Sequence, residues 1–257
     1  MTVDHIGFIL FPQEDIFRII GRLSFPLFAF LIAYGCTKTR NLNKYFLRLI
    51  SFAVWIQIGV GIINMSITGI SVKTVNIFFT LAFGVLGIWM IEAMWKASVK
   101  NTRLNAADCT VFSVLSVLIA ALVSITGGVL LVDYGAPGVA LILMFYGMLK
   151  LKKHFTKQKQ TVPADSASDT NKNLHKVLIF VTYQFILPFI VIGVYAGLFE
   201  IVYDMKWNIH WWGILSVIFI WMFIDRKIKI PWFEKYFFYI YYPLHFVILY
   251  LISILVF

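Results

Sequence analysis

Apolar runs separated by short polar stretches recur from one end of the chain to the other, and they predict nine helical segments. The first, residues 1–11, is half a span. The others cover 16–34, 45–63, 75–94, 110–131, 138–149, 177–198, 207–224 and 236–257. At about 1.5 Å rise per residue, 1–11 is too short to cross a bilayer and 138–149 is short for a span. Pro188 predicts a kink in the seventh segment. One long polar stretch, about 150–176, reads as a flexible cytoplasmic loop within a single membrane domain, 1–257.

The polar stretches alternate in charge. Lys and Arg crowd into 37–48, 96–103, 150–176 and 226–235, while the loops between them carry almost none. Under the positive-inside rule this gives an all-α polytopic integral membrane bundle of about nine transmembrane segments, the first truncated, with the N-terminus in and the C-terminus out. Trp95, Trp207, Trp211, Trp212 and Trp232 sit at segment ends, as interfacial aromatics do.

Composition narrows the class further. With 61% hydrophobic and 13% charged residues, the chain lacks the polar surface of a soluble domain. Its net charge of +10 resides in the loops, so it marks topology and not nucleic-acid binding. Cys36 and Cys109 imply no disulfide framework, and five dispersed histidines without ligand spacing imply no metal. No basic region or cleavage site flanks the first run, so no secretory signal is expected.

Against this background a few ionisable residues stand inside apolar runs: Asp4, His5, Arg18, Arg22 and His245. Charge at membrane depth is expensive and usually faces a cavity, a partner or a pathway. His5 and Arg22 each lie about six residues, about 9 Å, below the outer ends of their segments. Arg18 is one turn above Arg22 on the same face, and His245 lies near the middle of the last segment. A histidine can take a proton from an attacking nucleophile, a neighbouring carboxylate can raise its basicity, and an arginine can hold an oxyanion or a phosphate. Plainer readings stand beside these. Asp4 and His5 read equally as a polar pair at the interface, Arg18 and Arg22 as snorkelling anchors, and His245 as a satisfied polar group between helices. Tyr134 reads as turn chemistry, and Glu92 as an ion pair with Lys96 one turn on.

Four blocks carry a resemblance. They are Asp4-His5-Ile6-Gly7, Gly21-Arg22-Leu23-Ser24-Phe25-Pro26-Leu27-Phe28-Ala29-Phe30, Tyr134-Gly135-Ala136-Pro137-Gly138 and Phe238-Tyr239-Ile240-Tyr241-Tyr242-Pro243-Leu244-His245-Phe246. In this order they resemble the TraX family, whose members are similar to the F-pilin acetylase and to integral-membrane acyltransferases. The first segment is shorter here than in that family. The resemblance implies an acetyltransferase of the bacterial cytoplasmic membrane that uses acetyl-CoA and no metal. It implies His5 as general base, Asp4 as its partner, Arg22 as electrostatic stabiliser and His245 as a second polar site residue, with Arg18, Tyr242 and Tyr134 as substrate contacts. The implied acceptor is a pilin or fimbrial N-terminus, or an envelope glycan or lipid hydroxyl, reached from outside while the donor is cytosolic. Two other classes remain open: a transporter or channel with a proton or anion path through Asp4, His5, Arg22 and His245, and a non-catalytic assembly partner in a surface-structure machine.

Overall fold

The computed structural model describes residues 2–11, 13–68, 76–100, 134–160, 182, 186–203, 209–223 and 234–256. Among them every regular element is a helix and there is no strand. The expected segment 110–131 and most of the expected loop lie outside the described residues. Three stretches, Asp15–Lys38, Leu42–Ile62 and Gly135–Lys153, are long and apolar enough to cross a membrane. Four shorter apolar helices accompany them. The chain is an all-helical membrane protein, and it divides into two compact units, Met1–Phe28 with Lys152–Phe257, and Ala29–Leu151.

The first unit opens on a helical hairpin, α1 (Thr2–Leu10) and α2 (Asp15–Gly21). The Glu14 amide donates to the Phe11 carbonyl at 3.0 Å across the turn, and Phe11 stacks on Phe17. Two glycines let the helices close. A Cβ at Gly7 would strike Phe17, and a Cβ at Gly21 would strike the Asp4 side chain. Small residues at helix crossings are how membrane helices approach closely enough for packing to hold them.

The apolar run 16–34 predicts one unbroken helix, but the structure breaks it. α2 ends at Gly21, and α3 (Ser24–Lys38) begins after a tightened turn at Arg22 and Leu23. Pro26 has no N–H to give the Arg22 carbonyl four residues earlier, so the helical ladder lapses at Arg22. The Arg22 amide is shared between the Arg18 and Ile19 carbonyls at 3.1 and 3.2 Å. Gly213, in a 3-10 helix (Ile209–Leu215), lies against this break, and a side chain there would crowd Pro26 and approach the Arg22 carbonyl. Phe25 packs on Tyr195 of α7 (Leu187–Tyr203), both essentially buried. Pro188 stands two residues after the π-helical Ile186, where the helical geometry changes into α7. The 3-10 helix runs on into α8 (Ser216–Phe223), and α9 (Glu234–Val256) carries Pro243 inside it.

The second unit packs the rest of α3 with α4 (Leu42–Thr68), α5 (Ile77–Lys100) and α6 (Gly135–Gln160). Buried residues recur at i, i+4, i+7, the spacing of one helical face: Ala29, Ala33 and Cys36; Leu49, Ala53 and Ile56; Leu81, Val85 and Ile88. Asn76 pins the start of α5 to α4, donating to the Ala53 carbonyl and the Gln57 side chain while its own Oδ1 accepts the Phe78 amide. Outward positions such as Trp55 and Ile62 are apolar and exposed, the inverse of a soluble bundle. α6 corrects the short segment expected at 138–149. It runs 26 residues, because the lysines from 150 onward continue the helix into the stretch expected to be a flexible loop.

Candidate functional site

The residues singled out near the two chain ends meet within the first unit. Along α1, Thr2 and His5 share a face three residues apart, and Asp4 and Gly7 share another. The first face meets α9 and the second meets α2. The Thr2 hydroxyl lies 2.6 Å from the Tyr241 hydroxyl, and His5 Nδ1 lies 2.7 Å from His245 Nε2. Adjacent helical residues point in different directions, so Asp4 does not share the His5 face. It turns to α2, where Arg18 Nε lies 3.3 Å from Asp4 Oδ1. The partnership the resemblance implies for Asp4 and His5 is thus divided: Asp4 faces Arg18, and His5 faces His245.

His245 is nearly buried at 5% exposure, in a stripe with Tyr242 and Leu249 spaced for one helical face. Its Nδ1 lies 2.9 Å from the Tyr241 carbonyl one turn back. A carbonyl only accepts, so with neutral rings Nδ1 of His245 carries the proton and Nε2 is the acceptor. His5 then donates from Nδ1 to His245, and the His5 lone pair is on Nε2. The array Tyr241 carbonyl, His245, His5 therefore fixes one tautomer for each imidazole. Tyr242 stands edge-on to both rings, with centroids 6.3 Å from His5 and 5.5 Å from His245.

Arg18 and Arg22 both lie within electrostatic reach of His5. Arg18 is ion-paired with Asp4, and the positive charge of both guanidinium groups suits an anion or a developing oxyanion. Among the described residues no three metal-ligating side chains converge. Tyr134 belongs to the second unit, where it precedes α6 with φ 63° and Gly135 follows with φ 39°. Both residues lie in the left-handed region, and the Gly138 amide donates to the Tyr134 carbonyl at 2.9 Å, the first i to i+4 bond of α6. Glu92 meets Lys150 on α6 and accepts a hydrogen bond from the Tyr146 hydroxyl, and the Lys96 charge that the sequence pairs with it also acts on it. Sequence reasoning gives Thr2 no role, and it quotes Gly7 only as part of a block, with no role in packing. Their spacing from His5 and Asp4 on α1 is the signal that finds them.

No solved structure matches the chain. An uncharacterized protein of Rickettsia prowazekii (strain Madrid E), RP591, is 25% identical over 222 residues, covering 80% of this chain and 79% of that protein. The Probable fimbrial assembly protein FimC, serogroup H1, of Dichelobacter nodosus is 28% identical over 116 residues, 41% of this chain and 48% of that protein. The TraX protein family matches residues 1–253, which takes in the histidine array at both ends, and the chain belongs to that family.

Proposed function

We propose that this protein is a membrane-embedded acetyltransferase that moves an acetyl group from acetyl-CoA to the N-terminal amine of a pilin or fimbrial subunit. The observation that carries the reading is the Tyr241–His245–His5 array, which assigns the basic lone pair to His5 Nε2. The acceptor amine attacks the thioester carbonyl, forming a C–N bond, and His5 Nε2 takes the proton that the nitrogen sheds. The oxyanion that develops is negative, and Arg22 and Arg18 supply the compensating charge. Collapse breaks the C–S bond, and protonated His5 gives its proton to the departing CoA thiolate, which leaves as the thiol. Acetylated amine and CoA are the products, and His5 is restored.

Family membership supports this chemistry, and the fimbrial-assembly relative from Dichelobacter nodosus supports a fimbrial acceptor. A hydroxyl of an envelope glycan or lipid would follow the same proton balance. The test is transfer from radiolabelled acetyl-CoA in membranes expressing the chain, beside His5→Ala at matched expression and thermal stability. Label on a pilin-sized protein only with the wild type is the expected result, and label on glycan or lipid would reassign the acceptor. If no label moves, or His5→Ala transfers as well as wild type, the reading fails.

A further inference from the structure

The second unit holds a cavity of about 330 Å³ that the histidine site does not use. Its wall draws on the end of α3, the turn into α4, the last turns of α5 and the middle of α6, so residues from three separate basic stretches converge on one concavity. Arg40, Lys96 and Lys150 supply three positive charges there, against Glu92. Glu92 is held by Lys150 and by the Tyr146 hydroxyl and lies within the field of Lys96, so one carboxylate stands against three cations and the wall is net positive. Asn41 caps α4 through its Oδ1, which accepts the Lys44 amide at 3.0 Å, and its side-chain NH₂ remains a donor. Trp89 adds an indole to the wall. Lysines at helix ends are ordinary topology markers when spread around a rim. Here they close on a hollow with a guanidinium, an amide and an aromatic, which is the donor set that recognises phosphate.

We propose that this cavity binds the phosphoryl group of an anionic ligand, either the nucleotide end of a phosphorylated cofactor or a phospholipid headgroup. Its volume is at the small end of the roughly 300–1,000 Å³ of ligand pockets, so it takes the phosphorylated end and not a whole nucleotide cofactor. The proposal does not rest on the acetyl-transfer reading. The histidine array is untouched by the variants that test it.

Two probes separate the sources. Adenosine 3′,5′-bisphosphate is titrated into purified protein in detergent, and retained phosphatidylglycerol is measured by native mass spectrometry. Arg40→Gln with Lys96→Gln is compared with Lys44→Gln with Arg48→Gln, which removes equal charge outside the cavity. Loss of two charge-assisted contacts at about tenfold each predicts about 100-fold weaker binding of one probe by the cavity variant. The control should change it by less than about threefold, and the probe that responds names the source. Should the double variant lose its fold, Lys96→Gln at its exposed position carries the same test at about tenfold. Equal weakening by both variants, or no binding of either probe to wild type, overturns the proposal.

Discussion

At the scale of single residues the proposed acetyl transfer gives the two histidines separable jobs, and substitutions can tell them apart. His5 presents the lone pair, while His245 fixes its tautomer by accepting from His5 and donating to the Tyr241 carbonyl. A positioned general base contributes about 10²–10⁴ in rate, so His5→Ala should lower kcat for acetyl transfer by about that factor. Supporting partners of this kind carry less, and His245→Ala should cost about 10–100-fold. His245→Gln keeps an acceptor near the Nε2 position, and it should recover part of that loss while thermal stability stays level. Equal defects in His245→Ala and His245→Gln would mean the ring is packing material and not a tautomer lock. Sequence alone picks out both histidines, because each is an ionisable group in an apolar run. It cannot pair them, since 240 residues separate the two and no periodicity joins α1 to α9. It also joins Asp4 to His5 by adjacency, where helical geometry sends them to different neighbours.

At the scale of elements the site depends on the α1–α2 hairpin, and the hairpin depends on two glycines. A methyl at Gly21 would overlap the Asp4 side chain, so Gly21→Ala must push the helices apart or force Asp4 off Arg18. Overpacking of this sort costs about 1–3 kcal/mol. Gly21→Ala should therefore lower the melting temperature in detergent and weaken acetyl transfer, while Gly147→Ala on α6, with no heavy atom within 4 Å of its Cβ position, should leave both unchanged. A Gly21→Ala variant as stable and active as wild type would show that the close crossing is not needed. Hydrophobic runs make these helices legible but not their interruptions. The lapse at Arg22 follows from Pro26 four residues on, a backbone effect that hydropathy does not register. The extent of α6 is hidden for a related reason. Lysines end an apolar run, yet their long side chains let a helix continue past the hydrocarbon edge.

At the scale of the whole molecule, the alternating loop charge makes a claim that can be tested span by span. Arg40, Lys96 and Lys150 come from three basic stretches and line one cavity, so these three residues share one end of the second unit. Chain segments that share an end are separated by an even number of crossings. The sequence reading expects two crossings between Arg40 and Lys96, along α4 and α5, and two more between Lys96 and Lys150, along the apolar run 110–131 and α6. The positive-inside bias predicts these basic stretches on the cytoplasmic side, the expectation that fusions test. Alkaline phosphatase fused after residues 70, 135 or 205, or at the C-terminus, should be active. Fused after residues 40, 100, 165 or 228 it should be silent, and green fluorescent protein should give the reverse pattern. An active phosphatase after residue 100 together with a silent one after residue 70 would invert the orientation and move the base of His5 to the cytosolic half. A silent C-terminal fusion with the other positions as expected would instead remove one crossing after 228, leaving α9 as a helix that enters the bilayer without traversing it.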